Sequence, residues 1–250
     1  MSESTPTVVL VHGAFADASS WNGVIEQLQA QGVPVIAAAN PLRGISIDSA
    51  YIAGVFNETP GPVVAVGHSY GGAVITNAAT QADNVVALVF VAAFAPEEGE
   101  ALGAAEAGSK DSVLSSALVP RHYPAPDGGD PAVEFAIDPA KLRDVFAADL
   151  PAEQTALMAA TQRPVAELAF SEPNGATAWK RLPSWAVVAT GDKAAGTDIV
   201  RSMAERAGAE ITEVEGSHVI MISQPQAVTD VILQAVAATK QEATHVAAHQ

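Results

Sequence analysis

At 250 residues the chain is long enough for one large α/β domain, or for a core domain carrying an insertion, and too short for several independent domains. Hydrophobic residues make up 49% and charged residues 16%, a globular balance, and with only 5% aromatics the interior must be built mainly from Ala, Val, Ile and Leu. A formal charge of −16 with only 12 Lys and Arg argues against a nucleic-acid partner, and the absence of Cys excludes disulfides, thiolate metal sites and a cysteine nucleophile.

The polar start, Met1 to Thr7, lacks the cationic and apolar regions of a signal peptide. The longest apolar run, Val85 to Ala95, is too short to span a bilayer, so a soluble cytoplasmic protein without a membrane partner is expected. Apolar runs rich in Val and Ile recur at Thr7–Val11, Val33–Ala38, Val63–Val66, Val85–Ala92, Trp185–Ala189 and Glu210–Val214. Continuous apolar strands alternating with helical stretches indicate a doubly wound, mostly parallel sheet covered on both faces. Trp21, Val24, Ile25 and Leu28 fall at helical spacing after the first run, with Asp17, Ser19 and Ser20 available to cap and Gly32 to stop the helix.

After Ala95 the alternation breaks, and residues 96–183 read as a mostly helical insertion without strand patterning. It holds a turn-rich stretch, Pro120 to Pro131, then helical patterns at Pro139 to Leu150 and Pro151 to Gln162. Residues 1–95 and 184–250 then form the core and 96–183 a helical cap. The last helix starts at Pro225 with Val228, Val231, Ile232, Ala235 and Val236 on one face, and frays beyond Lys240.

Gly67-His68-Ser69-Tyr70-Gly71-Gly72 directly follows the strand Val63–Val66 and precedes a helical pattern. Gly-x-Ser-x-Gly between a strand and a helix is a nucleophile elbow, a sharp turn that lifts the serine hydroxyl above the sheet. Serine needs a base, and of six histidines His218 stands in a loop between the last strand and the last helix, within reach of the elbow. His12 and His68 sit in the Gly-containing strand-end turns and are read as braces; His122 is read as a solvated loop residue, and His245 and His249 as tail. Asp192, after Gly191 at the end of the preceding strand, is the expected orienting acid, in preference to Asp198, which reads as a helix cap or first-turn acid. Oxyanion donors are expected from the amides of Tyr70, after the nucleophile, and Ala14, in the loop after the first strand. Gly13 would let that loop approach the reacting centre; Phe15 and Val219 are candidate substrate contacts. No cluster of His, Asp and Glu has ligand spacing and Gly67 to Gly72 lacks the Lys-Ser/Thr ending of a phosphate loop, so neither metal nor cofactor is expected.

With these residues in view the chain resembles the α/β-hydrolase superfamily, and more narrowly small bacterial hydrolases related to plant methylesterases and hydroxynitrile lyases. The resemblance runs through His12 to Trp21, the elbow, Ala178-Trp179-Lys180 to Pro183-Ser184-Trp185, and Gly216-Ser217-His218 to Ser223-Gln224-Pro225. It implies a six-stranded parallel sheet ordered 2-1-3-4-5-6, a helical cap between the fourth and fifth strands, and the roles above for Ser69, Asp192, His218, Ala14 and Tyr70. Hydroxynitrile lyases of that branch carry a lysine directly after the catalytic histidine, where Val219 stands here.

The expected reaction is hydrolysis of a small, largely apolar carboxylic ester through an acyl-serine intermediate. A lyase, perhydrolase, amidase or thioesterase using the same triad, or a non-catalytic ligand-binding relative, are the alternatives. A small-molecule ester is then the partner, and a homodimer is left open. Phe135, Phe146, Leu150, Leu157, Met158 and Phe170 are the cap residues among which pocket walls are sought.

Overall fold

In the computed structural model, which describes residues 5–125 and 127–247, the chain order begins with β1 (Thr7–Val11), α1 (Asn22–Ala30), β2 (Val35–Ala38) and α2 (Ile45–Glu58). It continues with β3 (Val63–His68), α3 (Tyr70–Ala78) and β4 (Val85–Val91). Next come α4 (Leu102–Ala107), β5 (Leu118–Tyr123), β6 (Ala132–Ile137), α5 (Leu142–Phe146), α6 (Ala152–Thr161), β7 (Val165–Ala166) and α7 (Leu168–Ser171). The chain then returns through β8 (Ser184–Ala189), α8 (Thr197–Arg206), β9 (Glu210–Val214), α9 (Ile220–Ser223) and α10 (Pro225–Ala247).

Val8 to Val11 and Val63 to Val66 are all without solvent exposure, as strands covered on both faces must be. They form the centre of a six-stranded parallel sheet ordered β2-β1-β3-β4-β8-β9. Counted within this sheet alone the order is the expected 2-1-3-4-5-6. The chain steps outward from β1 to β2, then crosses back to β3 on the other side of β1. Right-handed crossovers in opposite directions put their helices on opposite faces, so the sheet is wound on both sides. This reversal leaves a crevice between the carboxyl ends of β1 and β3, where Val11 pairs with Gly67 and the two following loops run side by side. β9, at the far edge, alternates exposed Glu210 and Glu213 with half-buried neighbours, a polar edge that resists further pairing.

Asp17 accepts from the Ser19 amide and caps a short 3-10 turn, Ala18–Trp21, ahead of α1, and Gly32 ends that region at φ 69°. The last helix continues through Ala247 instead of fraying at Lys240; His249 and the side chain of His245 lie outside the described residues.

The segment 96–183 departs from its reading as mostly helical. It contains an antiparallel sheet, β5-β6-β7, and only short helices; the expected helix from Pro139 to Leu150 shrinks to α5. The strands were hidden because Leu118-Val119-Pro120-Arg121-His122-Tyr123 lies largely in solvent, so no apolar alternation marks it. His122 is exposed on this strand. The segment is fastened at several points. Arg43, in the loop after β2, pairs with Glu134 of β6 at 2.8 Å and donates to the Pro164 carbonyl at 3.0 Å, while the Ala166 amide donates to the Leu42 carbonyl. On the other side Thr76 of α3 accepts from the Ala178 amide, and Arg181 donates to the Ala79 carbonyl at 2.8 Å.

Arg43→Ala is expected to cost about 1–3 kcal/mol, since it strands the half-buried Glu134 carboxylate. The loss should concentrate in β5 to β7, read as faster amide hydrogen exchange there than in β1, β3 and β4. Uniform exchange across both sheets would contradict this.

Candidate active site

Ser69 stands between β3 and α3 at φ 53° and ψ −124°, a conformation that costs a non-glycine residue on the order of 1–3 kcal/mol. Its surroundings impose that turn. A Cβ on Gly67 would lie 2.5 Å from the Gly71 carbonyl oxygen, and one on Gly71 would run into the Val11 carbonyl. A Cβ on Gly13 would lie 2.7 Å from Ser69 Cβ, so the β1 loop touches the elbow directly, the close approach expected of that glycine. The Ser69 carbonyl accepts from the Gly72 and Phe94 amides, fixing the turn to the β4 end as well.

The histidines flanking these loops act as braces. His12 Nδ1 contacts the Gly13 carbonyl at 2.9 Å and its Nε2 accepts from the Asn40 amide at 3.0 Å, which sets the tautomer with the proton on Nδ1. His68 Nε2 donates to the His218 carbonyl at 2.9 Å. Burial, joined by the nearby His218, holds His68 well below its ordinary 6.5, and burial lowers His12 too.

His218 is buried, and its Nδ1 lies 2.8 Å from Asp192 Oδ2. The other Asp192 oxygen accepts from the Ala194 and Ala195 amides at 2.9 and 3.0 Å. With Nδ1 donating to that oxygen, Nε2 is left with its lone pair. Ser69, His218, Ala14, Phe15 and Tyr70 line one cavity at the carboxyl end of the sheet, with about 20 Å³ of room for the centre of a water-sized group. Phe94, Phe146 and Phe170 supply apolar walls. Asp198 is elsewhere: in the first turn of α8 it accepts from the Ser109 hydroxyl and the Lys110 amide.

Ala14 and Tyr70 line the cavity beside Ser69, and the amide of Phe15 is committed to the Arg163 carbonyl. Phe15 packs edge-on against Phe146, at 6.0 Å between centroids, and lines both the inner cavity and an outer cleft of about 300 Å³. Val219 is buried and lines that cleft with Met158. Among the other cap candidates, Leu150 is buried, Leu157 is largely exposed and Phe135 packs on Phe170.

Three side chains at the site escaped the sequence reading. Asp48 of α2 is fully buried and accepts the Tyr70 hydroxyl at 2.7 Å; burial raises its carboxyl, and the Tyr70, Arg43 and Gly44 donors work against that rise. Glu106 of α4 lines the inner cavity and accepts from Ser112 at 2.5 Å. Asp149 accepts both the amide and the hydroxyl of Ser217, next to His218. Asp48 is buried on α2 together with Ile45, Ser49 and Ile52, and nothing in the sequence sets any of the three apart from the other acids. Among the described residues no three His, Asp or Glu side chains group as metal ligands, and no helix is long and apolar enough to cross a membrane.

The alpha/beta hydrolase family model matches residues 8–231. No curated protein matches the chain significantly. Among solved structures, polyneuridine aldehyde esterase superposes with a TM-score of 0.77 at 22% identity, over 92% of this chain and 99% of that one. Tomato methylketone synthase I, complexed with 2-tridecanone, gives 0.75 at 24% identity over 95% and 99%. A pyrethroid hydrolase from Sphingobium faniae JZ-2 gives 0.74 at 19% identity over 95% and 100%.

The two buried histidine braces make stability pH-dependent. The folded state resists protonating them while the unfolded chain takes up protons below about 6.5, so their contribution is full above that pH and falls as the pH drops through it. Urea unfolding at pH 7.5 and 5.5 should show a loss of about 1–2 kcal/mol at the lower pH; equal stabilities would contradict it.

The strained serine elbow on the six-stranded parallel sheet and the match over nearly its whole length agree, and the chain belongs to the alpha/beta hydrolase family.

Proposed function

We propose that the chain is a serine esterase in which Ser69 is the nucleophile, His218 the general base and Asp192 the acid that orients it. The observation that carries this is the buried 2.8 Å contact between His218 and Asp192 beside a strained serine that lines the same cavity. Asp192 keeps the proton on Nδ1 and stabilises the imidazolium that forms. His218 Nε2 takes the Ser69 proton as Oγ attacks the ester carbonyl, and the Ala14 and Tyr70 amides receive the developing oxyanion. Collapse expels the alcohol, which leaves with the proton from His218, and the acyl-serine remains. Water then repeats the sequence with His218 again as base, releasing the acid and restoring Ser69.

The walls support an apolar substrate, and the inner cavity supports a small group on its buried side. Residues 96–183 serve as the cap on a core of 1–95 and 184–250, with Phe15 and Val219 contacting substrate toward the outer cleft. Family and fold do not decide the reaction, since a methylketone synthase shares the architecture. Ester hydrolysis is favoured over the lyase alternative because Val219 next to His218 carries no charge to receive an anionic leaving group.

Ser69→Ala should abolish ester turnover by several orders of magnitude and block fluorophosphonate labelling without loss of fold. Activity within tenfold of wild type would defeat the mechanism, and an unlabelled wild-type chain would favour the ligand-binding alternative.

Asp192→Asn should cut kcat on the order of 10³–10⁴-fold with little loss of stability. Asp198→Asn should instead cost on the order of 1 kcal/mol of stability and little activity. Kinetics of both variants with p-nitrophenyl acetate check the assignment; a crippled Asp198→Asn with an active Asp192→Asn would reverse it.

A further inference from the structure

The loop that carries His218 is held from three directions. The Gly216 carbonyl accepts from the Gly191 amide at 2.9 Å, and the His218 carbonyl accepts from His68 Nε2 at 2.9 Å. Both partners stand at the ends of strands of the parallel sheet. The third comes from the segment 96–183: the Ser217 amide donates to Asp149 Oδ2 at 2.9 Å and its hydroxyl donates to Asp149 Oδ1. The carboxylate lies directly against this backbone, since a Cβ on Gly216 would come within 2.8 Å of Asp149 Oδ2. Ser217 is buried, so without Asp149 its amide would lose its acceptor in a place water reaches poorly. Burial disfavours the Asp149 charge, but the Ser217 hydroxyl and amide, together with the Ser223 hydroxyl and the Asp149 amide, outweigh it and hold the carboxyl below its ordinary range.

Asp149 follows α5 closely, and the last residue of that helix, Phe146, sets its ring 5.1 Å from the His218 imidazole between centroids. One stretch of the segment thus touches both the ring of His218 and the backbone behind it. We propose that Asp149 is a positioning residue for His218: by accepting both Ser217 donors it sets the backbone from which the imidazole hangs, so the segment that walls the cavity also orients the base. This rests on the triad reading of Ser69, Asp192 and His218.

The chemistry separates geometry from charge. Ala removes both acceptors. Asn retains one oxygen for the Ser217 amide, and its NH₂ can donate to the Ser217 hydroxyl, which serves equally as acceptor. The clamp therefore survives Asp149→Asn and is lost in Asp149→Ala. A displacement of about 1 Å at a reacting group costs up to about 10²-fold in rate.

The test uses the full chain with p-nitrophenyl acetate, each preparation normalised by fluorophosphonate titration of Ser69. Asp149→Ala should lower kcat by about 10–100-fold with KM within about threefold, and Asp149→Asn should restore kcat to within about threefold of wild type. A second readout needs no turnover: the downfield proton resonance of His218 Nδ1–H should persist in wild type and Asp149→Asn and broaden through faster exchange in Asp149→Ala. An Asp149→Ala variant with wild-type kcat and an unchanged resonance overturns the proposal, as does an Asp149→Asn variant as impaired as Asp149→Ala. Should Asp149→Ala fail to fold, Ser217→Ala removes one of the two bonds and should lower kcat about threefold to tenfold, and no change there would overturn it. A wild-type chain that neither turns over ester nor labels at Ser69 defeats the triad reading, while the resonance comparison still decides the role of Asp149.

Discussion

The site depends on how closely two backbone loops approach each other at the carboxyl end of the sheet. β1 and β3 are neighbours in register, and the glycines that follow or end them leave no room for a Cβ: Gly13 lies against Ser69, Gly67 against Gly71, and Gly71 against Val11. That contact forces the nucleophile candidate into a left-handed backbone conformation, and Ala14 and Tyr70 line the same cavity as its side chain. The cost of the strained turn is met by the surrounding sheet, whose central strands are wholly buried. Rigid packing below and strain above are two aspects of one arrangement.

Backbone polar groups so near a dry core need partners, and buried imidazoles supply several of them. His12 bridges the Gly13 carbonyl and the Asn40 amide, and His68 supports the carbonyl of His218. An imidazole carries a donor and an acceptor on one flat ring, which suits two backbone groups facing each other across a narrow gap. The ring of a third histidine, His218, contacts an acid instead of a backbone group.

Much of this was legible in the chain. The apolar runs announced the parallel strands, because strands covered on both faces must be apolar throughout. The serine turn after β3, and the meeting of His218 with Asp192 and not with Asp198, followed from the place of each residue relative to a strand end. The small sheet of 96–183 escaped notice because its strands lie partly in solvent and contain Pro120, so hydrophobic periodicity had nothing to register.

The sequence by itself determined the elements that local chemistry specifies: buried strands, turn glycines, helix starts at Asp17 and Pro225, and a nucleophile motif in a fixed strand–turn–helix setting. Tertiary structure alone decided which distant side chains meet. Asp48 reaches the Tyr70 hydroxyl, Glu106 lines the cavity, and Asp149 closes on Ser217, yet each is one acid among many in an acidic chain. The physical reason is range: backbone preference and hydrophobic period act within a few residues, whereas the partner of a carboxylate 68 positions away is fixed only once the sheet has brought both ends together.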